Sequence, residues 1–347
     1  MMTEKVTKET DDEELAKQLL PSPGNNNNSA TSKEEPPSPS KADAAGAANN
    51  AEIMFWLFML FLASVTMTVG NKYVMKQWDY ANTVTLLQNG TAVLYLGLGA
   101  WQGFLEMKPF SMLQWRVFLG SALFLTVQIL TSLKALPLVA IATVVAFRNM
   151  CTVIIAIIDY FCYGTKFSSN MVFALLVTTI GMIIYASRDV NYDPMGYFWL
   201  VGNSIATIAS TFWNKVFITK YTRELKIQTS FGVSFIQQLE TLPIVFCLAV
   251  FNNEGGAAKE LLPLPMITKL VLLATCLGGV LIGMAYPKCF SLISGTSVVV
   301  ASTANKAVSI LLGMYIFGTV LSGIQIMGLC VCIGGSLWYA VEGKRKK

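Results

Sequence analysis

Residues Ser297 to Gly318 read SVVVASTANKAVSILLGMYIFG. The stretch is long enough to cross a bilayer as a helix, and Lys306, near its middle, carries its only charge. A lysine inside a membrane span costs about 3 kcal/mol on insertion scales and as a rule faces a watery cavity or an anionic partner. Asn305 beside it adds an amide that lipid cannot satisfy. The pattern predicts a helix that lines a cavity, with Lys306 meeting a negative charge on the cargo.

The rest of the chain fits that setting. Of 347 residues, 54% are hydrophobic and 13% charged, and the mean hydropathy is +0.55. A soluble domain carries about 25% charged residues, so this composition predicts a polytopic membrane protein. The net charge of +5 is too small to imply a nucleic-acid partner. There is no histidine, which removes the commonest metal ligand and the commonest general base. The seven cysteines lie in apolar stretches, and Cys330 and Cys332 stand too close for a redox or zinc pair. No cofactor and no metal are implied. An enzyme would need acids or a base at a membrane face, and the short loops offer neither a histidine nor a close acidic pair.

Residues 1–52 are polar, with acidic, Asn-rich and Pro/Ser-rich runs, and read as a disordered cytosolic tail without a secretory signal. From Ile53 the apolar runs follow closely. At about 20 residues per crossing, they give about ten spans, near 53–72, 82–104, 114–134, 137–163, 169–187, 195–219, 228–251, 266–290, 296–317 and 320–341. The fold class is therefore an all-α membrane protein, with a transporter domain over 53–341 and a basic tail over 342–347. An even number of spans puts both termini on one side. Lys108, Arg116, Lys166, Lys220, Arg223, Lys226, Lys288 and the basic C-terminus fall there, which predicts that both termini are cytosolic.

The polar link Arg188 to Pro194 divides the spans into two sets of five, 53–187 and 195–341. Asn71-Lys72-Tyr73-Val74 resembles Asn214-Lys215-Val216-Phe217. Tyr163-Gly164-Thr165-Lys166-Phe167-Ser168 resembles Phe317-Gly318-Thr319-Val320-Leu321-Ser322. That second register sets Arg148 opposite Ser302, one helical turn from Lys306. An odd number of spans in each half makes the second half inverted, an arrangement typical of secondary transporters.

The candidate substrate residues are Asn305, Lys306, Ser302, Asn214, Lys215, Trp213, Asn71, Lys72, Arg148 and Tyr286. Lys215 either faces the cavity or snorkels, and Trp213 either stacks on a base or anchors at the interface. Asn71 and Lys72 belong to the cavity or to the interface. Arg148 is a second phosphate contact or an internal ion pair, and Tyr286-Pro287 kinks its span and helps open a cavity. Cations outnumber acids inside the spans, so the cargo is anionic.

The membrane region resembles the nucleotide-sugar transporters of the drug/metabolite transporter superfamily, most of all their GDP-mannose branch. That branch carries a GALNK motif in span nine, matched here by Ser302-Thr303-Ala304-Asn305-Lys306. Its FYNN motif in span six is matched by Phe212-Trp213-Asn214-Lys215, with Lys215 in place of an amide. The resemblance implies that Asn214 contacts the base, while Asn305 and Lys306 contact phosphates and sugar. It implies a site between spans one, four, six, seven, eight and nine, a Golgi location with the ER as the alternative, and a homodimer. The implied activity is antiport of a GDP-sugar, GDP-mannose first, against GMP. A UDP-sugar/UMP exchanger and then a sugar-phosphate/phosphate exchanger are the alternatives.

Overall fold

Each long apolar run must satisfy its backbone hydrogen bonds internally if it is to lie in lipid, and a helix does so within one segment. A computed structural model describes residues 39–164, 167–187, 192–213, 216, 230–292 and 295–345. Its described residues contain ten long helices and no strand: α1 (Pro39–Gln77), α2 (Ala81–Trp101), α3 (Met112–Ala135), α4 (Ile141–Tyr163), α5 (Ser169–Ala186), α6 (Pro194–Trp213), α7 (Ser230–Phe251), α8 (Met266–Leu292), α9 (Gly295–Phe317) and α10 (Gly323–Arg345). The chain divides into two units, residues 1–48 and 49–347. In the first, the described residues begin α1; the second holds the rest.

Among the described residues, seven helices are long and apolar enough to cross a membrane: α1 (over Ala51–Gln77), α3, α4, α5, α7, α8 and α10. This differs from the count of about ten spans read from the sequence. In α9 the described apolar part is Asn305–Phe317, while α2 and α6 fall below the threshold. The reason is physical. Gln88 and Asn89 on α2 and Asn203 on α6 face an internal cavity, and their amides lower the hydropathy of helices that are partly lined by water-accessible space.

Helix ends follow local chemistry. Ser111 starts α3 with a capping box: its hydroxyl accepts from the Gln114 N–H at 3.3 Å, and Gln114 Oε1 accepts from the Ser111 N–H at 2.9 Å. Ser322 and Gln325 make the same pair of bonds at the start of α10, at 2.8 and 3.3 Å. The α4–α5 and α9–α10 connections match in backbone as well. Gly164 (φ +61°) and Gly318 (φ +63°) each turn left-handed just past a helix end, where a side chain would be strained. Four residues on, Ser168 and Ser322 cap the next helix.

The broadest helix contact joins α5 to α10, followed by α3 with α6 and α2 with α7. The α2–α8 contact is matched in extent by α3–α7, and α4–α5 nearly so by α9–α10. A large apolar cluster built from Val74, Met75, Trp78, Val84, Leu133, Leu136, Val139, Leu200 and Leu272 closes the end of the bundle where α1 ends and α4 begins. The hairpin between α7 and α8 is tied there. Glu254 accepts from the backbone N–H groups of Asn82 (3.2 Å) and Thr83 (2.7 Å), and from both their side chains, and so caps α2. Beside it, a hydrogen bond from the Tyr80 phenol to Glu260, reinforced by burial and by the charges of Glu260 and Glu254, pushes the phenol above its ordinary pKa.

Candidate functional site

Next to that apolar plug lies a cavity of about 320 Å³. Ser64, Thr68 and Asn71 of α1, Gln88 and Asn89 of α2, Gln128 and Ser132 of α3, Arg148 of α4, Asn203 of α6 and Gln238 of α7 give it polar walls, and Gly279 of α8 leaves it open on one side. Amides in an apolar helix are costly unless paired, and the side chains of Asn71, Gln88 and Asn203 are paired. Gln88 Nε2 donates to Asn71 Oδ1 at 2.7 Å and to Thr275 Oγ1 at 3.1 Å. Asn203 Nδ2 donates to the Gln128 carbonyl at 2.6 Å, which joins α6 to α3. Among the described residues, Asn89 Nδ2 and Gln238 Oε1 are buried without a partner.

Arg148 is exposed, but to the cavity it lines. Its guanidinium reaches Ser132 Oγ at 3.5 Å. Lys306 sits behind it, half-buried, and donates to Asn149 Oδ1 at 3.3 Å; Asn149 Nδ2 in turn reaches Cys332 Sγ at 3.6 Å. Among the described residues neither Arg148 nor Lys306 has a carboxylate partner. Two cations without a counter-ion among the described residues are costly in a low-dielectric interior.

The sequence candidates therefore separate. Arg148 and Asn71 line the cavity, and Lys306 stands one layer behind Arg148. Asn305 is buried, and Ser302 is half-buried one turn before Lys306. Lys72 is buried in the plug, away from the cavity. It donates to the Val139 carbonyl, and its ammonium lies 5.2 Å from the centre of the Phe317 ring. Trp213 packs between α6 and α3: Nε1 donates to the Val117 carbonyl at 3.2 Å, and the ring covers Gly120, where a Cβ would come within 2.0 Å of it. Asn214 and Lys215 lie outside the described residues, as does the Tyr286 side chain.

The model of the Triose-phosphate Transporter family matches residues 51–340. The chain belongs to that family. Among similar curated proteins are a GDP-mannose transporter of Yarrowia lipolytica, 24% identical over 82% of this chain and 92% of its own length, and UDP-galactose/UDP-glucose transporter 7 of Arabidopsis thaliana, 23% identical over 82% of this chain and 88% of its own. A protein of known crystal structure aligns with TM-score 0.52 at 15% identity, over 86% of this chain and 99% of that one, a likeness of fold.

Sequence reasoning missed Gln88, Asn89, Gln128, Asn203 and Gln238. The signal that finds them is the one applied to Asn305: an amide within an apolar helix needs a partner that lipid does not provide. They form half of the polar wall of this family member's cavity.

Proposed function

We propose that the protein is a nucleotide-sugar antiporter of the Golgi membrane, importing a GDP-sugar, GDP-mannose first, in exchange for GMP. The observation that carries the reading is the cavity itself: an amide-lined space beside Arg148 and Lys306, two cations without a carboxylate partner among the described residues. A nucleotide sugar has a diphosphate for the cations and a base and hydroxyls for the amides. The nucleoside monophosphate keeps both kinds of group and is a natural return cargo.

Exchange follows from charge. An empty carrier must carry bare cations through the closed state, whereas either ligand neutralises them, so reorientation is faster when loaded. The moving parts in this reading are inverted five-helix halves, 53–187 and 195–341, with the tail 1–52 and residues 342–347 in the cytosol. The matching Gly164 and Gly318 turns, the Ser168 and Ser322 caps and the paired helix contacts support that division.

A second reading, UDP-sugar against UMP, is favoured by the similarity to the plant UDP-galactose/UDP-glucose transporter and by Lys215, which has no acceptor for a guanine edge. Uptake of labelled GDP- and UDP-sugars into proteoliposomes loaded with GMP or UMP separates the two. GMP-driven GDP-mannose uptake is the expected result. UMP-driven UDP-sugar uptake establishes the second reading, and exchange of neither leaves phosphate or sugar phosphate as the cargo.

A further inference from the structure

Helices α2 and α7 pack against one another and carry the same pattern: Val84-Thr85-Leu86-Leu87-Gln88-Asn89 on one, Val233-Ser234-Phe235-Ile236-Gln237-Gln238 on the other. The first amide of each pair is held by a hydroxyl on a neighbouring helix. Gln88 donates to Thr275 on α8 at 3.1 Å, and Gln237 donates to Ser121 on α3 at 2.9 Å. The next residue is turned by about 100° on a helix, and in both pairs it lines the cavity, as Asn89 or Gln238. In both, one polar atom has no partner among the described residues: Nδ2 of Asn89, a donor, and Oε1 of Gln238, an acceptor. A buried polar atom without a partner costs about 1–3 kcal/mol, and the same vacancy recurs on two helices at the same place in the pattern.

We infer that Asn89 and Gln238 are the pair that reads the nucleobase, an inference that rests on the nucleotide-sugar reading above. The terminal torsion of each amide is soft, so a small turn presents donor or acceptor to the cavity. The complementary ligand edge is a ring N–H beside a carbonyl, as on guanine or uracil. A phosphate has no donor to give Gln238 and belongs with Arg148 in the same cavity. The first amide of each pair holds the helices in place, so that the second is presented at a fixed height. On this basis, specificity is carried by α2 and α7 in addition to the end of α6.

The test is competition in proteoliposomes, using as tracer whichever nucleotide sugar the wild-type protein exchanges. GMP, UMP and base-free ribose 5-phosphate compete against uptake by wild type, Asn89→Leu and Gln238→Leu; Asn89→Ala and Gln238→Ala replace the leucine variants if those fail to fold. The expected result is inhibition by the matching nucleoside monophosphate weakened about ten- to a hundredfold, with inhibition by ribose 5-phosphate unchanged. Equal weakening for both competitors overturns the inference, because the effect then lies in the fold or at the phosphate end. So does weakening seen for the nucleotide sugar alone, which would assign the pair to the sugar. Unchanged competition by nucleotides that the wild type does exchange overturns it while sparing the parent reading. A wild-type protein that exchanges no nucleotide sugar overturns both.

Discussion

The α5–α10 seam and the α2–α7 wall are both helix pairs, yet they are built from opposite materials. Along the seam, Gly181, Gly328 and Gly335 bring backbones into contact. A Cβ on Gly181 would lie 2.3 Å from the Cys332 nitrogen, and one on Gly335 would lie 2.6 Å from the Thr178 nitrogen. Small residues allow such approach where lipid supplies no hydrophobic drive for association. The α2–α7 wall has amides at its centre and a cavity beside it, and among the described residues Asn89 Nδ2 and Gln238 Oε1 on it are unpaired. One pair is closed backbone to backbone, whereas the other borders open space with polar atoms left unpaired among the described residues.

The sharpest way to break the comparison is to place bulk in the seam. Gly181→Leu is expected to abolish recovery of monodisperse folded protein in size-exclusion chromatography, since the side chain meets backbone that cannot move aside. Next comes charge in the cavity. Arg148→Gln is expected to lower nucleotide-sugar exchange about a hundredfold while leaving the melting temperature close to wild type, because the guanidinium faces open space. Glu254→Ala removes four hydrogen bonds to the start of α2. It is expected to destabilise the fold by about 1–3 kcal/mol, read as a lower melting temperature, with Glu254→Gln falling between. The smallest effect is expected at Gly279, where a Cβ meets nothing within 4 Å. Gly279→Ala should hold stability or raise it by up to ~1 kcal/mol through helix propensity. Melting curves of this variant beside Gly181→Ala compare a cavity glycine directly with a seam glycine.

Much of this was legible from residues alone. Runs of apolar residues located the ten long helices, because a helix is the cheapest way to hide a backbone from lipid. The likeness of the Gly164 and Gly318 segments was visible too, and it corresponds to the same left-handed turn in both. Arg148 stood out because charge in a span is expensive. The amides were harder to read, since a Gln or Asn in a span serves equally as glue between helices, and only packing decides which one faces space. Lys72 and Asn71 are adjacent in sequence yet diverge: Asn71 reaches the cavity and Lys72 the plug, a split set by rotation about α1. Trp213 was ambiguous for a similar reason, as its partner Gly120 lies on another helix.

In the proposed reading, the Arg148 and Lys306 cations make transport an obligatory exchange. The direct measurement is uptake of labelled GDP-mannose into proteoliposomes, empty or loaded with GMP, for wild type, Arg148→Gln and Lys306→Gln. The expected result is rapid wild-type uptake only with GMP inside, and its loss in both variants. Equal uptake into empty and loaded vesicles, or full exchange by a variant lacking either cation, would contradict it.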